Sequence, residues 1–412
     1  MKILYDCFSC SPYYGSDEGI GWMWPYLMRK YHEVWVLVRR DRKTDIERYC
    51  QKNHIDDIHF VYCDIPEQIN FYYKRLKQGK NGTLDFLIYQ YLWQFPAYKI
   101  AKELHKKIQF DLVHHASTND FRLLGFMYKL GIPYIIGPIG GAQETADALS
   151  FYIRNHRCSE KIRSIIDQLA IYIPGYKKAL NCANKIFFSN IETMNYLLPY
   201  IKDPNKCEIM TEVGFLEEEK LAVQHKTEVK EETVFMWAGR MEYRKGLELL
   251  VDALKKLPIE KKWKVVLCGD GSERSFIQKL CDKEKFFDRV YFTGKLSYEQ
   301  VQKLYEEASV FVFPSLRETT GTVIIEAMAH KLPVICLEQG GGAVIVNRDT
   351  GFLIPINDKE ECVRRFAEAM LFCVDNPEKL VIMGECARNR VLENYSWQKK
   401  CDNVEKIYRD IV

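Results

Sequence analysis

Short apolar runs rich in β-branched and aromatic residues recur along the chain, each leading into a stretch of helical periodicity. In the first half they are Lys2 to Tyr5, Glu33 to Val38, His59 to Tyr62, Leu112 to His115, Tyr134 to Gly137 and Lys185 to Ser189. Strand and helix in alternation predict a parallel sheet with helices on its faces. The pattern lapses from Glu208 to Glu218, and a charged stretch from Lys220 to Glu232 follows without clear periodicity. It then restarts with Thr233 to Gly239, Val265 to Gly271, Val290 to Gly294, Val310 to Ser315 and Pro333 to Leu337. Most of these runs end in Gly, Pro or Ser and pass into a helical segment.

The expected fold class is therefore α/β, with two Rossmann-like doubly wound units, residues 1–215 and 216–394. Such units gather loops and helix N-termini at the carboxyl ends of their strands, so the ligand is expected in a cleft where those ends face each other. Composition agrees with a globular chain: 412 residues, 47% hydrophobic and 28% charged. The net charge of +3 excludes the strong basic excess of a dedicated nucleic-acid binder, so no nucleic-acid partner is expected. Split at Phe215, the charge is mildly asymmetric, with the positive half first. The fourteen cysteines are scattered from Cys7 to Cys401 and read as reduced, mostly buried thiols. Cys7 and Cys10 have no second pair at zinc-site spacing. With no signal-peptide pattern at the start and no apolar run of about 18 residues, a cytoplasmic protein is expected.

The most informative stretch is VFVFPSLRETTGTVIIEAMAHKLPVICL, Val310 to Leu337. A strand ends at Pro314, a loop carries Glu318, and a helix begins near Gly321. Thr320, Gly321 and Thr322 thus sit where unpaired backbone N–H groups and the helix dipole favour a phosphate. On that helix Glu326 borders the arc of Val323, Ile324, Ala327 and Met328. Its carboxylate reads either as half of a surface ion pair or as an acceptor of ribose hydroxyls. After another strand, Arg240 and Lys245 in AGRMEYRKG place positive charge near the expected cleft, suited to a departing diphosphate.

These residues resemble the retaining family-four glycosyltransferases of the GT-B fold. Pro314, Ser315, Glu318, Gly321, Glu326, Ala327, Met328, Ala329, Pro333 and Val334 stand at the family's spacings. The usual Glu-Gly-Phe-Gly turn reads Glu318-Thr319-Thr320-Gly321 here. The resemblance implies that Glu318 lies by the donor sugar, that Glu326 binds the nucleotide ribose, and that Arg240 and Lys245 clamp the donor diphosphate. SPYYGSDEGIG resembles the family's opening loop, which implies that Gly15, with Ser16 beside it, approaches the donor phosphates. Asp17 and Glu18 read instead as complements of a helix dipole.

Asp111-Leu-Val-His-His resembles the segment that brings a His to the donor sugar. His114 and His115 point to opposite sides of a strand, so only one reaches the ligand, and His115 is favoured as nearer the carboxyl end. Gly137-Pro138-Ile139-Gly140-Gly141 reads as another ligand loop, with Gly140 close to sugar or acceptor. Tyr395-Ser396-Trp397 opens a final helix to Val412, and the resemblance implies that residues 395–412 cross back to the N-terminal domain.

The implied reaction moves a sugar, with retention, from a nucleoside diphosphate sugar to a hydroxyl of a glycan or lipid-linked acceptor, as in bacterial surface polysaccharide synthesis. No Asp-x-Asp is present, so neither a metal nor a cofactor beyond the donor is expected. No side chain stands out as a general base, and in the family the leaving phosphate takes the acceptor's proton. The rival reading is a GT-B protein that binds a sugar nucleotide without chemistry. Phe71 to Lys77 is aromatic and basic, while Thr83 to Tyr98 is nearly apolar all round. The latter reads either as a buried core helix or as a surface that meets a lipid-linked acceptor at the inner face of the membrane.

Overall fold

The computed structural model describes residues 1–13, 16–66, 83–116, 119–216 and 231–412, which leaves Phe71 to Lys77 outside the described residues. Contacts divide them into two units. The first comprises Met1–Ala142, Ser164–Glu212 and Cys401–Val412, and the second Gln143–Arg163 and Val213–Lys400.

The first unit carries strands β1 (Lys2–Asp6), β2 (Glu33–Arg39), β3 (Ile58–Cys63), β4 (Leu112–His115), β5 (Tyr134–Ile139), β6 (Lys185–Phe188) and β7 (Cys207–Ile209). Their order is β3-β2-β1-β4-β5-β6-β7, parallel throughout. The second carries β8 (Thr233–Ala238), β9 (Trp263–Cys268), β10 (Val290–Gly294), β11 (Val310–Phe313), β12 (Val334–Leu337) and β13 (Gly351–Ile354). It runs β10-β9-β8-β11-β12-β13, also parallel. In both sheets the chain steps outward on one side of its first strand and then returns to the other. The switch points, where a doubly wound sheet binds ligands, fall between β1 and β4 and between β8 and β11.

Burial explains why these runs form central strands. On β8, Phe235 and Trp237 enter one core while Met236 and Ala238 enter the core on the opposite face. Val310 and Val312 alternate with Phe311 and Phe313 on β11 in the same way, as the two-residue period of a strand requires. The sequence does not reveal β7, which straddles the start of the lapse. It is three residues long, half-buried and paired on one side only, too short to show periodicity. The expected final helix runs over Trp397–Ile411. A separate helix, Pro377–Asn394, precedes it, and Phe215 bridges the break through backbone bonds with Tyr395 and Trp397.

Thr83 to Tyr98 opens a 26-residue helix, Thr83–Ile108. Its inner face buries Tyr89, Trp93, Ala97 and Ala101, whereas Ile88 and Phe95 are about half exposed at 47% and 51%. No helix among the described residues is long and apolar enough to cross a membrane.

Candidate functional site

At the β8/β11 switch point two loops are locked together. Gly246 ends the turn Tyr243–Lys245 with φ +68°, and a Cβ there would collide with the carbonyl of Pro314. Leu316 N–H donates to the carbonyl of Arg244 at 2.8 Å. From the next strand, Gly340, at φ +54°, lies against the backbone of Glu318, and the Gln339 side chain donates to Ser315 O at 2.9 Å. Glycines allow these close approaches and fix the loop that carries Glu318.

This packing brings Lys245 Nζ onto Glu318 Oε2, with Arg244 Nη1 3.5 Å from the same oxygen. Both partners of the Lys245–Glu318 pair are largely buried, at 13% and 18% side-chain exposure. Burial works to raise the Glu318 pKa, but the adjacent Lys245 and Arg244 charges outweigh it and hold the carboxyl below its ordinary value. Burial lowers the Lys245 pKa, against the pull of Glu318. Arg240 is 76% exposed and lies 3.3 Å from Glu242 Oε1, while the other oxygen of that carboxylate accepts from Arg244 Nε at 2.9 Å. Arg244, which the sequence did not single out for the site, is the arginine that approaches Glu318.

Gly321, at φ +80°, caps the helix Thr322–Ala329. Thr320 is buried and Thr322 exposed at its entrance. Glu326, half-buried one turn in, accepts a 3.0 Å hydrogen bond from Tyr305 OH. This donor was invisible in the sequence because it lies 21 residues away. Glu160 is another residue without a sequence signal. Its Oε1 receives Tyr243 OH at 2.6 Å and Arg317 Nη2 at 2.9 Å, so it braces the turn that carries Lys245 and the residue before Glu318.

In the first unit, Asp6 and His115 are direct neighbours at the carboxyl ends of β1 and β4, the other switch point. Both side chains are fully buried, and His115 Nδ1 lies 2.7 Å from Asp6 Oδ2. The ring therefore donates from Nδ1, which leaves Nε2 as the acceptor in the neutral imidazole. Nε2 makes no hydrogen bond among the described residues. Asp6 was missed in the sequence, although an ionisable residue ending the apolar run Ile3 to Tyr5 is a readable signal. His114 points to the other face. Its Nε2 donates to Gly137 O at 2.6 Å and its Nδ1 accepts from Tyr408 OH, whose oxygen is 2.9 Å from Tyr5 OH. Burial lowers its pKa to about 3, so it is a neutral ring holding the last helix to the sheet.

Gly140 follows β5, and its carbonyl accepts from Phe121 N–H at 3.0 Å. Gly15 lies outside the described residues, and Ser16 begins the helix Ser16–Met28. Asp17 and Glu18 occupy that helix's first turn, and Glu18 pairs with Arg39 and Arg42. Burial, and then the charge of Asp120, push the Asp17 pKa up from 3.8 to about 6, against a hydrogen bond from the Asn119 backbone. An acid whose folded pKa is raised holds its proton longer when folded. Its stability contribution is complete below about pH 4 and lost as pH rises through about 6. Asp17→Asn should thus be more stable than wild type by about 1–3 kcal/mol at pH 7.5, with the gap closing at pH 4 in urea denaturation.

Residues 218–400 match the family described as glycosyl transferases group 1. Among curated relatives, an uncharacterized glycosyltransferase of Methanocaldococcus jannaschii is 28% identical over 47% of this chain and 49% of its own length. The chain thus spans about half of that protein. The N-acetyl-alpha-D-glucosaminyl L-malate synthase of Bacillus anthracis is 25% identical over 86% of this chain and 90% of its own. Among solved structures, Anabaena HepE in complex with UDP superposes with a TM-score of 0.64 at 16% identity over the full length of both chains. Two parallel α/β units of this topology and the likeness to HepE show the GT-B fold, and within it residues 218–400 of the second unit match the group 1 glycosyltransferases.

Proposed function

We propose that the protein transfers a sugar, with retention, from a nucleoside diphosphate sugar to a hydroxyl of a glycan or lipid-linked acceptor. The setting we infer is bacterial surface polysaccharide synthesis, at the inner face of the membrane. The observation that carries the donor half is the convergence of Lys245 and Arg244 on Glu318, in a loop that leads directly into the helix start at Gly321. Two fixed cations and a row of backbone N–H groups suit a diphosphate that gains charge as it leaves. This role needs no metal or further cofactor.

In this reading Glu318 lies at the sugar and Glu326 accepts ribose hydroxyls. The Gly15 loop, Ser16 and Gly140 contribute from the first unit. His115 meets the developing oxocarbenium-like sugar, and Asp6 sets which of its nitrogens faces that sugar. The leaving phosphate takes the acceptor's proton. A uridine donor is the first to try, because HepE of the same fold was solved with UDP.

The test is release of nucleoside diphosphate from a panel of UDP, GDP, ADP and TDP sugars by wild type and Glu326→Ala. Release from one donor, reduced at least about tenfold in the variant, is the expected result, a loss of about 1.4 kcal/mol or more. If folded protein binds a nucleotide but turns over no donor, the transferase reading falls and a binding protein takes its place.

A further inference from the structure

The first unit opens an apolar groove of about 370 Å3 between the helix Thr83–Ile108 and the segment 164–174. Leu87, Ile88, Leu92, Ile166, Leu169 and Ile173 line it. Arg122 is the charged residue of its wall among those described, and its guanidinium is held by Asp120 and Asp167. The rim leaves large apolar side chains in water: Leu169 is 59% exposed and Tyr172 71%, with Ile165, Ile88 and Phe95 each about half exposed. Scattered exposed apolar residues are ordinary, but a cluster around a groove marks an interaction surface.

Charge identifies the occupant. At 100° per residue, Ile88, Phe95, Lys99 and Lys102 fall on one stripe of the long helix, so its exposed face passes from apolar to basic. On one flank Phe95 packs on Phe126, with ring centroids 4.9 Å apart, and Lys129 Nζ lies 4.3 Å from the Phe126 ring. On the other, Lys177 Nζ lies 5.4 Å from the Tyr172 ring. Aromatic rings carrying lysines at the edge of an apolar patch match a membrane interface, where rings sit at headgroup depth and ammonium groups reach anionic headgroups.

We propose that this face docks the protein on an anionic lipid surface, with Ile88, Phe95, Leu169 and Tyr172 inserting and Lys99, Lys102, Lys129 and Lys177 meeting the headgroups. The proposal deepens the acceptor half of the function above and rests on it only for its biological purpose. Docking is read without donor or acceptor, so either can fail alone.

The experiment is co-sedimentation of the whole protein with vesicles of phosphatidylglycerol and phosphatidylcholine in about equal parts, beside pure phosphatidylcholine. Wild type should partition at least about tenfold more strongly to the anionic vesicles, and binding should weaken as salt rises from about 20 to 200 mM. Leu169→Glu and Phe95→Ser, on the two sides of the groove, should each lower partitioning about tenfold while melting like wild type. Ile382→Glu, at an equally exposed apolar position in the second unit, should change nothing. Absence of wild-type binding at low salt overturns the proposal, as does equal binding by both groove variants. Sedimentation velocity that shows a wild-type dimer, broken by Leu169→Glu and without vesicle affinity, assigns the face to a second copy and also overturns it.

Discussion

Replacing Lys245 by alanine should lower donor turnover by about two to three orders of magnitude, the range seen when one preorganised donor of transition-state stabilisation is removed. The argument starts from desolvation. Lys245 keeps only 13% of its side chain in water, so its charge acts through a medium that screens weakly. In the resting structure its partner is Glu318, which Arg244 also approaches. A departing diphosphate offers this ammonium more negative charge than the ground-state donor does. The interaction therefore strengthens along the reaction, and its loss should appear mainly in kcat.

Glu318 keeps Arg244 as a partner in the variant, which limits the structural damage. Lys245→Arg should retain more activity than Lys245→Ala because the charge survives, although a planar guanidinium does not reproduce a compact ammonium. Arg240→Ala, at a side chain 76% exposed, should cost less than tenfold. Initial rates at saturating and subsaturating donor separate these cases. Equal loss in Lys245→Ala and Arg240→Ala would show that the sequence-based pairing of those two residues describes the working site better than the resting geometry does.

The difference between Arg240 and Arg244 shows what a sequence carries and what it omits. Strand runs such as Val310 to Phe313 were legible because a strand buried on both faces must be apolar along its length. The Glu318 and Glu326 spacing was legible because one loop and one helix hold both residues, so local geometry carries it. Which of two nearby arginines turns inward depends on the left-handed turn at Gly246 and its contact with Pro314, a pairing 68 positions apart. Glu160 reaches Tyr243 and Arg317 across 83 and 157 positions, and no local periodicity encodes such contacts. The choice between His114 and His115 was half legible. Alternation puts them on opposite faces, but only the Asp6 and Tyr408 partners show that one ring is held by a carboxylate and the other is locked into the core.

That distinction carries the second large effect. Asp6→Asn should lower kcat about a hundredfold or more while the donor KM stays within about threefold. In the wild type the carboxylate accepts from His115 Nδ1–H and keeps Nε2 as the acceptor nitrogen. An asparagine of nearly the same shape can present its N–H2 to Nδ1, which moves the ring proton to Nε2 and turns an acceptor into a donor where the sugar is expected. A purely structural role for Asp6 predicts a different pattern. Losing a buried charge-assisted bond would lower the melting temperature and scale kcat with the folded fraction, leaving the rate per folded molecule unchanged. Thermal melting measured beside kcat, in Asp6→Asn and in His115→Gln, separates the two. If Asp6→Asn melts lower but turns over normally below its transition, Asp6 serves the fold alone. If both variants stay folded and lose kcat together, with no further loss in the double variant, the two residues act as one unit at the carboxyl ends of β1 and β4.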